Sequence, residues 1–209
     1  MRLKKINATI VVLLGLIPGV GRAQDFSADV VYGAVKSPSS GKKASSPSNP
    51  SKLFVSKDKI RLETRGVTGT ILLADAGDNT AFALFPERKM YQPLANAPAQ
   101  YFRVTDAENA CPDWQKASIQ KIVCEKIGHE TVDGRDVVKY QNNSTGAEVA
   151  TTAVWIDLAL HFVIKWEGTD ASAELRDIHE GAQPADLFAV PASYEMLKPM
   201  KKTPKAPSK

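Results

Sequence analysis

The chain is poor in the residues that most chemistry needs. Its 209 residues include two cysteines and three histidines, and aromatic side chains make up 7%. His129, His161 and His179 form no H-x-x-x-H pair, and neither cysteine has a histidine at ligand spacing, so no metal site is expected. There is no G-x-S-x-G, hence no nucleophile elbow, and no G-x-x-x-x-G-K-[ST] or G-x-G-x-x-G loop to cradle a phosphate. Asp157 near His161 and Asp177 near His179 are local acid–histidine neighbours, a pattern that arises often by chance; a triad of distant residues stays open. The chain therefore reads as non-enzymatic, with no cofactor. Beyond the first 23 residues no stretch is long and apolar enough to span a membrane, which takes roughly 20 residues.

Excess positive charge is also absent from the body of the chain. The net charge is +4, but Arg2, Lys4, Lys5 and Arg22 precede residue 24 with no acid among them. Lys198, Lys201, Lys202, Lys205 and Lys209 crowd the last twelve residues, again without an acid. Setting those nine aside leaves a body at −5, which argues against nucleic acid as a partner.

What is present is enough for a core. Hydrophobic residues are 43% and charged residues 24% of the chain, as in a single globular domain. Residues 1–23 read as a signal peptide: a basic start, an apolar stretch from Ala8 to Val20, and small residues Gly21 and Ala23 at the positions a signal peptidase reads. The rival, a membrane anchor, is too short. Cleavage is expected after Ala23, and the periplasm is the expected location. Two cysteines in an oxidising compartment are expected to form a disulfide, Cys111–Cys124; without C-x-x-C a redox pair is the weaker reading.

Alternation dominates the rest. Phe26, Ala28, Val30 and Tyr32 share one face of a strand. Residues 36–52, with seven serines, three prolines and four lysines, read as a flexible loop. Strands are expected at Leu53–Val55, Lys59–Arg65, Thr70–Ala74, Thr80–Phe85 and Lys89–Gln92, then a short helix from Pro112 to about Val123. Asp133-Gly134 is a favoured hairpin turn between Ile127–Val132 and Arg135–Gln141. Asn142 to Gly146, which includes overlapping N-x-[ST] sequons, reads as a surface loop. Thr151–Asp157, Phe162–Glu167 and Ser172–His179 complete about ten strands. Leu187-Phe188 and Val190-Pro191 are expected to close one end of the sheet, and residues 198–209 form a disordered basic tail. The tail reads as a solvated appendage or as a weak contact with an anionic surface. The fold class that follows is mainly β (α+β): a curved antiparallel sheet forming an incomplete barrel over 24–197, with one or two short helices.

Several short motifs, in order, resemble a known family. Leu53-Phe54-Val55 with Lys59-Ile60-Arg61-Leu62-Glu63, Lys89-Met90-Tyr91 after Phe85-Pro86, and Cys124-Glu125-Lys126-Ile127-Gly128 running on to Gly134-Arg135 are similar to exported bacterial proteins allied to the Lol-type lipoprotein carriers. So are Trp155-Ile156-Asp157 and the ending Asp186-Leu187-Phe188-Ala189-Val190-Pro191-Ala192-Ser193-Tyr194. The resemblance implies a half-barrel around a helical lid, with a hydrophobic cavity for acyl chains.

Ile60, Leu62, Phe82, Leu84, Phe162, Ile164 and Trp166 lie on apolar strand faces and are the candidate ligand-binding residues. The same residues would serve equally as a fully packed core, and alternation cannot separate the two. The expected function is a periplasmic carrier-type protein holding a lipid, an acyl chain or an apolar segment. The alternative is an envelope interaction module with a filled core, and an enzyme of unknown type is the third. Expected partners are a lipid or lipoprotein and an envelope protein, not nucleic acid.

Overall fold

The structure is a computed structural model of the chain, and it describes residues 25–34, 50–65, 69–95, 102–117, 122–144, 152–168 and 171–197. The expected signal peptide, the basic tail and most of the 36–52 loop lie outside these residues.

Two meanders make one sheet. The first contains β1 (Phe26–Ala34), β2 (Ser51–Ser56), β3 (Lys59–Glu63), β4 (Ile71–Asp75), β5 (Thr80–Phe85) and β6 (Met90–Pro93). The second contains β7 (Ile122–Val132), β8 (Arg135–Ser144), β9 (Thr152–Asp157), β10 (Phe162–Glu167) and β11 (Ala171–Glu180). Within each meander every strand pairs antiparallel with the next, and β1 pairs antiparallel with β11 to join the two. A two-residue strand, β12 (Glu195–Met196), adds parallel to β6, so the order runs from β12 to β7 across twelve strands and does not close into a barrel. The short helix α1 (Cys111–Ala117) and 3₁₀ turns at Pro86–Arg88 and Ala185–Phe188 complete the described elements. The half-barrel class read from the alternation is borne out.

The turns form for local reasons. Asp133 and Gly134 both take positive φ, 49° and 76°, as a two-residue hairpin with the native strand twist requires. Lys57 takes φ 49° in the tight connection of β2 to β3, where the Asp25 carboxylate accepts from the Lys57 N–H at 2.9 Å.

Register divides the sheet into an inner and an outer face. Ala28, Leu53, Leu62 and Leu72 are successive cross-strand neighbours, as are Tyr32, Ala173, Trp166, Val154 and Tyr140, so the inner face is apolar along these rows. The outer face of β1, β2 and β3 is laced with ion pairs, Lys52 to Asp29 across strands and Arg61 to Glu63 within one. Further along, Lys139, Trp155 and Lys165 face one another on β8, β9 and β10, and the two ammonium groups lie 4.7 and 4.3 Å from the indole.

Four boundaries differ from the sequence expectation. Ser51 and Lys52 belong to β2, because they complete its pairing with β1 at Val30 and Asp29. The described helix is Cys111–Ala117, and Ile122 and Val123, expected to belong to it, instead lie in β7, where they pair with Ser144 and Asn143. That pairing also draws Asn142–Ser144, expected in a loop, into β8. β12, which alternation did not indicate, forms because Lys89 and Tyr91 carbonyls accept from Glu195 and Leu197 N–H at 2.9 and 2.8 Å.

Candidate functional site

The inner face is covered by the segment from Phe102 to Ala117. This segment is held at several points by interactions that follow from its sequence. Cys111, the first residue of α1, is bonded to Cys124 of β7, a span of 13 residues. Trp114, nearly fully buried, meets Tyr140 edge to face at 5.4 Å. The Tyr140 hydroxyl donates to the Ala107 carbonyl at 2.9 Å and accepts from the Ala110 N–H at 3.3 Å. Burial holds the Tyr140 phenol above its ordinary pKa. Glu108 reaches Lys126 and His129 of β7, and the Lys126 hydrogen bond is the main reason its carboxyl lies below the usual carboxylate range.

Between cover and sheet lie two apolar pockets. The first has a volume of about 80 Å³ and is lined by Val30, Tyr32, Leu53, Ile60, Leu62, Leu72, Ala74, Phe102, Phe162, Val163, Ile164, Trp166, Ala173 and Leu175. Among the described residues its one hydroxyl is the Tyr32 phenol, partly exposed, whose pKa is pushed up by desolvation. Phe102 stacks on Phe162 at 6.1 Å, and Phe26 meets the same ring edge-on at 5.1 Å. The guanidinium of Arg103 lies 5.8 Å from the Phe162 centroid. Its two terminal nitrogens are buried without a hydrogen-bond partner. Desolvation pulls its pKa down, against the opposing field of Asp58 and Asp25.

Five of the seven residues expected to form an apolar site meet in this pocket: Ile60, Leu62, Phe162, Ile164 and Trp166. Phe82 and Leu84 do not line it. They pair with Leu73 and Ile71, and Leu73 pairs with Arg61, so they belong to the outer face. There Phe82 meets Tyr91 edge-on at 5.9 Å, and Arg61 donates to the Leu187 carbonyl at 2.8 Å, placing the Ala185–Phe188 turn against this face. Alternation along one strand cannot say which of two apolar faces is the inner one.

The other nine lining residues, Val163, Leu72, Phe102, Ala173 and Leu175 among them, were not anticipated as site residues. Val163 reaches the pocket through a β-bulge between Val163 and Lys165, which lets Val163 and Ile164 both turn inward. A strict period of two places Val163 outside.

The second pocket, about 250 Å³, is lined by Phe102, Trp114, Ile122, Asn142, Thr152, Val154, Val163 and Trp166. Phe102, Val163 and Trp166 line both pockets and form the wall between them.

Asp157 and His161 do other work than pairing with each other. Asp157 is 1% exposed; it pairs with Arg135 and accepts the Ala159 and Leu160 N–H groups at 2.8 Å each. Arg135 also reaches Glu180 at 2.7 Å. The His161 ring bonds the Thr105 carbonyl at 2.9 Å and so helps hold the cover. Among the described residues no cluster of three or more His, Cys, Asp or Glu could hold a metal ion, and no helix is long and apolar enough to cross a membrane.

No family model and no curated protein matches the chain. Solved structures do. An uncharacterised conserved protein from Thermus thermophilus aligns at TM-score 0.52 with 9% identity, over 84% of this chain and 90% of its own. PNGF-II aligns at TM-score 0.53 with 11% identity, over 83% of this chain, which spans only 30% of that protein. At such identities the likeness is one of fold alone. Similar structures also include a LolA superfamily protein from Nitrosomonas europaea, at TM-score 0.36 and 10% identity, over 80% of this chain and 90% of its own.

Proposed function

We propose that this protein is a non-enzymatic carrier of the envelope, exported to the periplasm, which holds an acyl chain or another apolar group between the inner face of the sheet and the Phe102–Ala117 cover. The observation that carries this reading is the first pocket: among the described residues its fourteen lining side chains offer only two polar atoms, the Tyr32 hydroxyl and the Trp166 indole nitrogen. An apolar cavity over a sheet that does not close is stabilised by apolar ligand, because water inside it finds few partners. The disulfide fits an oxidising compartment.

The pocket's volume of about 80 Å³ is well short of the roughly 300–1,000 Å³ of drug-sized sites, so this form admits only the end of a chain. Loading more requires Phe102 and the cover to move. The same small volume favours the second reading, an interaction module whose core is nearly filled and which binds an envelope protein by its surface.

Native mass spectrometry of protein purified from its host tests the proposal. Co-purified lipid, displaced by a long-chain fatty acid, is the expected result. A clean apo mass with no fatty-acid uptake overturns the carrier reading and leaves the module.

A further inference from the structure

The two polar side chains of the first pocket stand in one row of the sheet. Tyr32 of β1 pairs with Ala173 of β11, and Ala173 pairs with Trp166 of β10, so the two rings flank a single methyl group. Neighbouring strands lie about 4.8 Å apart, which sets the Tyr32 and Trp166 backbones roughly 10 Å from each other. This row is the open end of the pocket. Tyr32 is 41% exposed, whereas Ile60, in register with Val55 and Phe26 at the other end, is 6% exposed. Phe26 and Tyr32 are six residues apart on β1, about 20 Å of strand. Among the described residues, neither the Tyr32 hydroxyl nor the Trp166 indole N–H has a hydrogen-bond partner, and the indole nitrogen is not sealed off by protein atoms. A side chain added at Gly168, which follows β10, would begin 3.5 Å from Trp166 Cζ3. The six-membered edge of the indole therefore faces the end of the strand, and Nε1, at the far end of the ring system, faces the pocket.

We propose that Tyr32 and Trp166 hold the head of the ligand: one uncharged carbonyl, as in an acyl ester or amide, sits over Ala173 and accepts from the phenol and the indole, while the chain runs inward toward Ile60. This assignment rests on the carrier reading and adds to it the polarity and the direction of the ligand. An indole N–H can only donate, so the head must present an acceptor, and a carbonyl oxygen has two lone pairs for two donors. No lining residue is charged, so a carboxylate would have no counter-ion to offset its desolvation. A hydrogen bond inside an apolar pocket is electrostatically stronger than the same bond in water. A chain entering head first would leave both donors unpaired and bury its carbonyl among Ile60, Leu62 and Ala74, whose side chains offer no donor.

The test uses methyl octanoate with an isotope-labelled carbonyl, and decane as a chain of similar length without a head. Binding to the purified protein is read by headspace partitioning, and the state of the carbonyl by its infrared stretch. On the unaltered chain the bound ester's stretch is expected below its position in hexane, as hydrogen bonding requires. Tyr32→Phe removes one oxygen from a partly exposed side chain. It is expected to raise that stretch and to weaken ester binding about fivefold while leaving decane binding unchanged. Trp166→Phe is expected to raise the stretch as well. A stretch at its hexane position, a stretch that neither substitution moves, or equal loss of ester and decane in Tyr32→Phe overturns the proposal. So does octanoate binding as tightly as the ester at neutral pH. If both ligands bind and the carbonyl shows no hydrogen bond, the head-group assignment alone falls. If neither binds, the carrier reading falls with it. The infrared measurement is made first on the unaltered chain, so a variant that fails to fold does not remove the test.

Discussion

Glu130 accepts a hydrogen bond from the Trp155 indole at 2.6 Å and another from the Lys139 ammonium at 3.1 Å. Those bonds, the indole's first, hold its carboxyl below the usual carboxylate range. A carboxyl whose pKa is lower when folded contributes stability that is present above its unfolded pKa, roughly 4.3, and is lost as pH falls through the folded value. Glu130→Gln is therefore expected to lower stability at neutral pH and to flatten its decline between about pH 5 and pH 3, as followed by urea unfolding. Acid limbs of identical shape in the two proteins would show that the contact contributes nothing. Tyr140 makes a second residue-scale case. Tyr140→Phe removes the donor to the Ala107 carbonyl and the acceptor for the Ala110 N–H, both buried. A loss of about 1–3 kcal/mol is expected in urea unfolding. Neither partnership was legible in the sequence, because Tyr140 and Ala107 are 33 residues apart and nothing local requires them to meet.

The element most dependent on a single bond is α1. It is seven residues long, shorter than a helix that is stable alone in water, and Trp114 is its one buried residue. Its start is tied by the disulfide to β7, the edge strand. Breaking that bond, by reduction or by Cys111→Ala, is expected to lower stability by about 3 kcal/mol on the chain-entropy account. Amide exchange at 113–117 should rise more than exchange in β1, since α1 is tied to the sheet through side chains and the disulfide whereas β1 is paired through its backbone on both sides. Uniform change across the chain would mean that the cover is not a separate unit. The hairpin turn at Asp133-Gly134 was readable because two positive φ values need those residue types. The end of α1 was not readable: apolar Ile119, Ile122 and Val123 suit a helix and a strand alike, and long-range pairing with β8 decided for the strand at Ile122 and Val123.

At the scale of the molecule, the chain is two meanders sewn together by one long-range pairing, β1 with β11. That seam has eight cross-strand pairs, from Phe26 with Glu180 to Ala34 with Ala171. Its neighbours on either side are also paired, so hydrogen exchange should be slowest in β1, β2, β10 and β11. It should be fastest in β12, which is two residues long, and in β7, whose outer edge has no strand partner among the described residues. Equal protection of edge and seam would contradict the open order of the sheet.

Alternation with period two, interrupted by Asp-Gly and other turn signals, was enough to determine the strands and their approximate number, because these are local consequences of how side chains leave a pleated backbone, and that number in one chain implied the half-barrel class. Five of the seven expected pocket residues followed from the same pattern. What the pattern could not determine was which apolar face lies inside. Phe82 and Leu84 alternate as well as Ile60 and Leu62 do, yet the turn at Ala185–Phe188 lies against their face and leaves the opposite one to the pocket. Nor could it supply the bulge that turns Val163 inward or the placing of Tyr32 and Trp166 on either side of Ala173. Those depend on register between strands and on contacts between residues far apart in the chain, and only the packed tertiary structure brings such residues together.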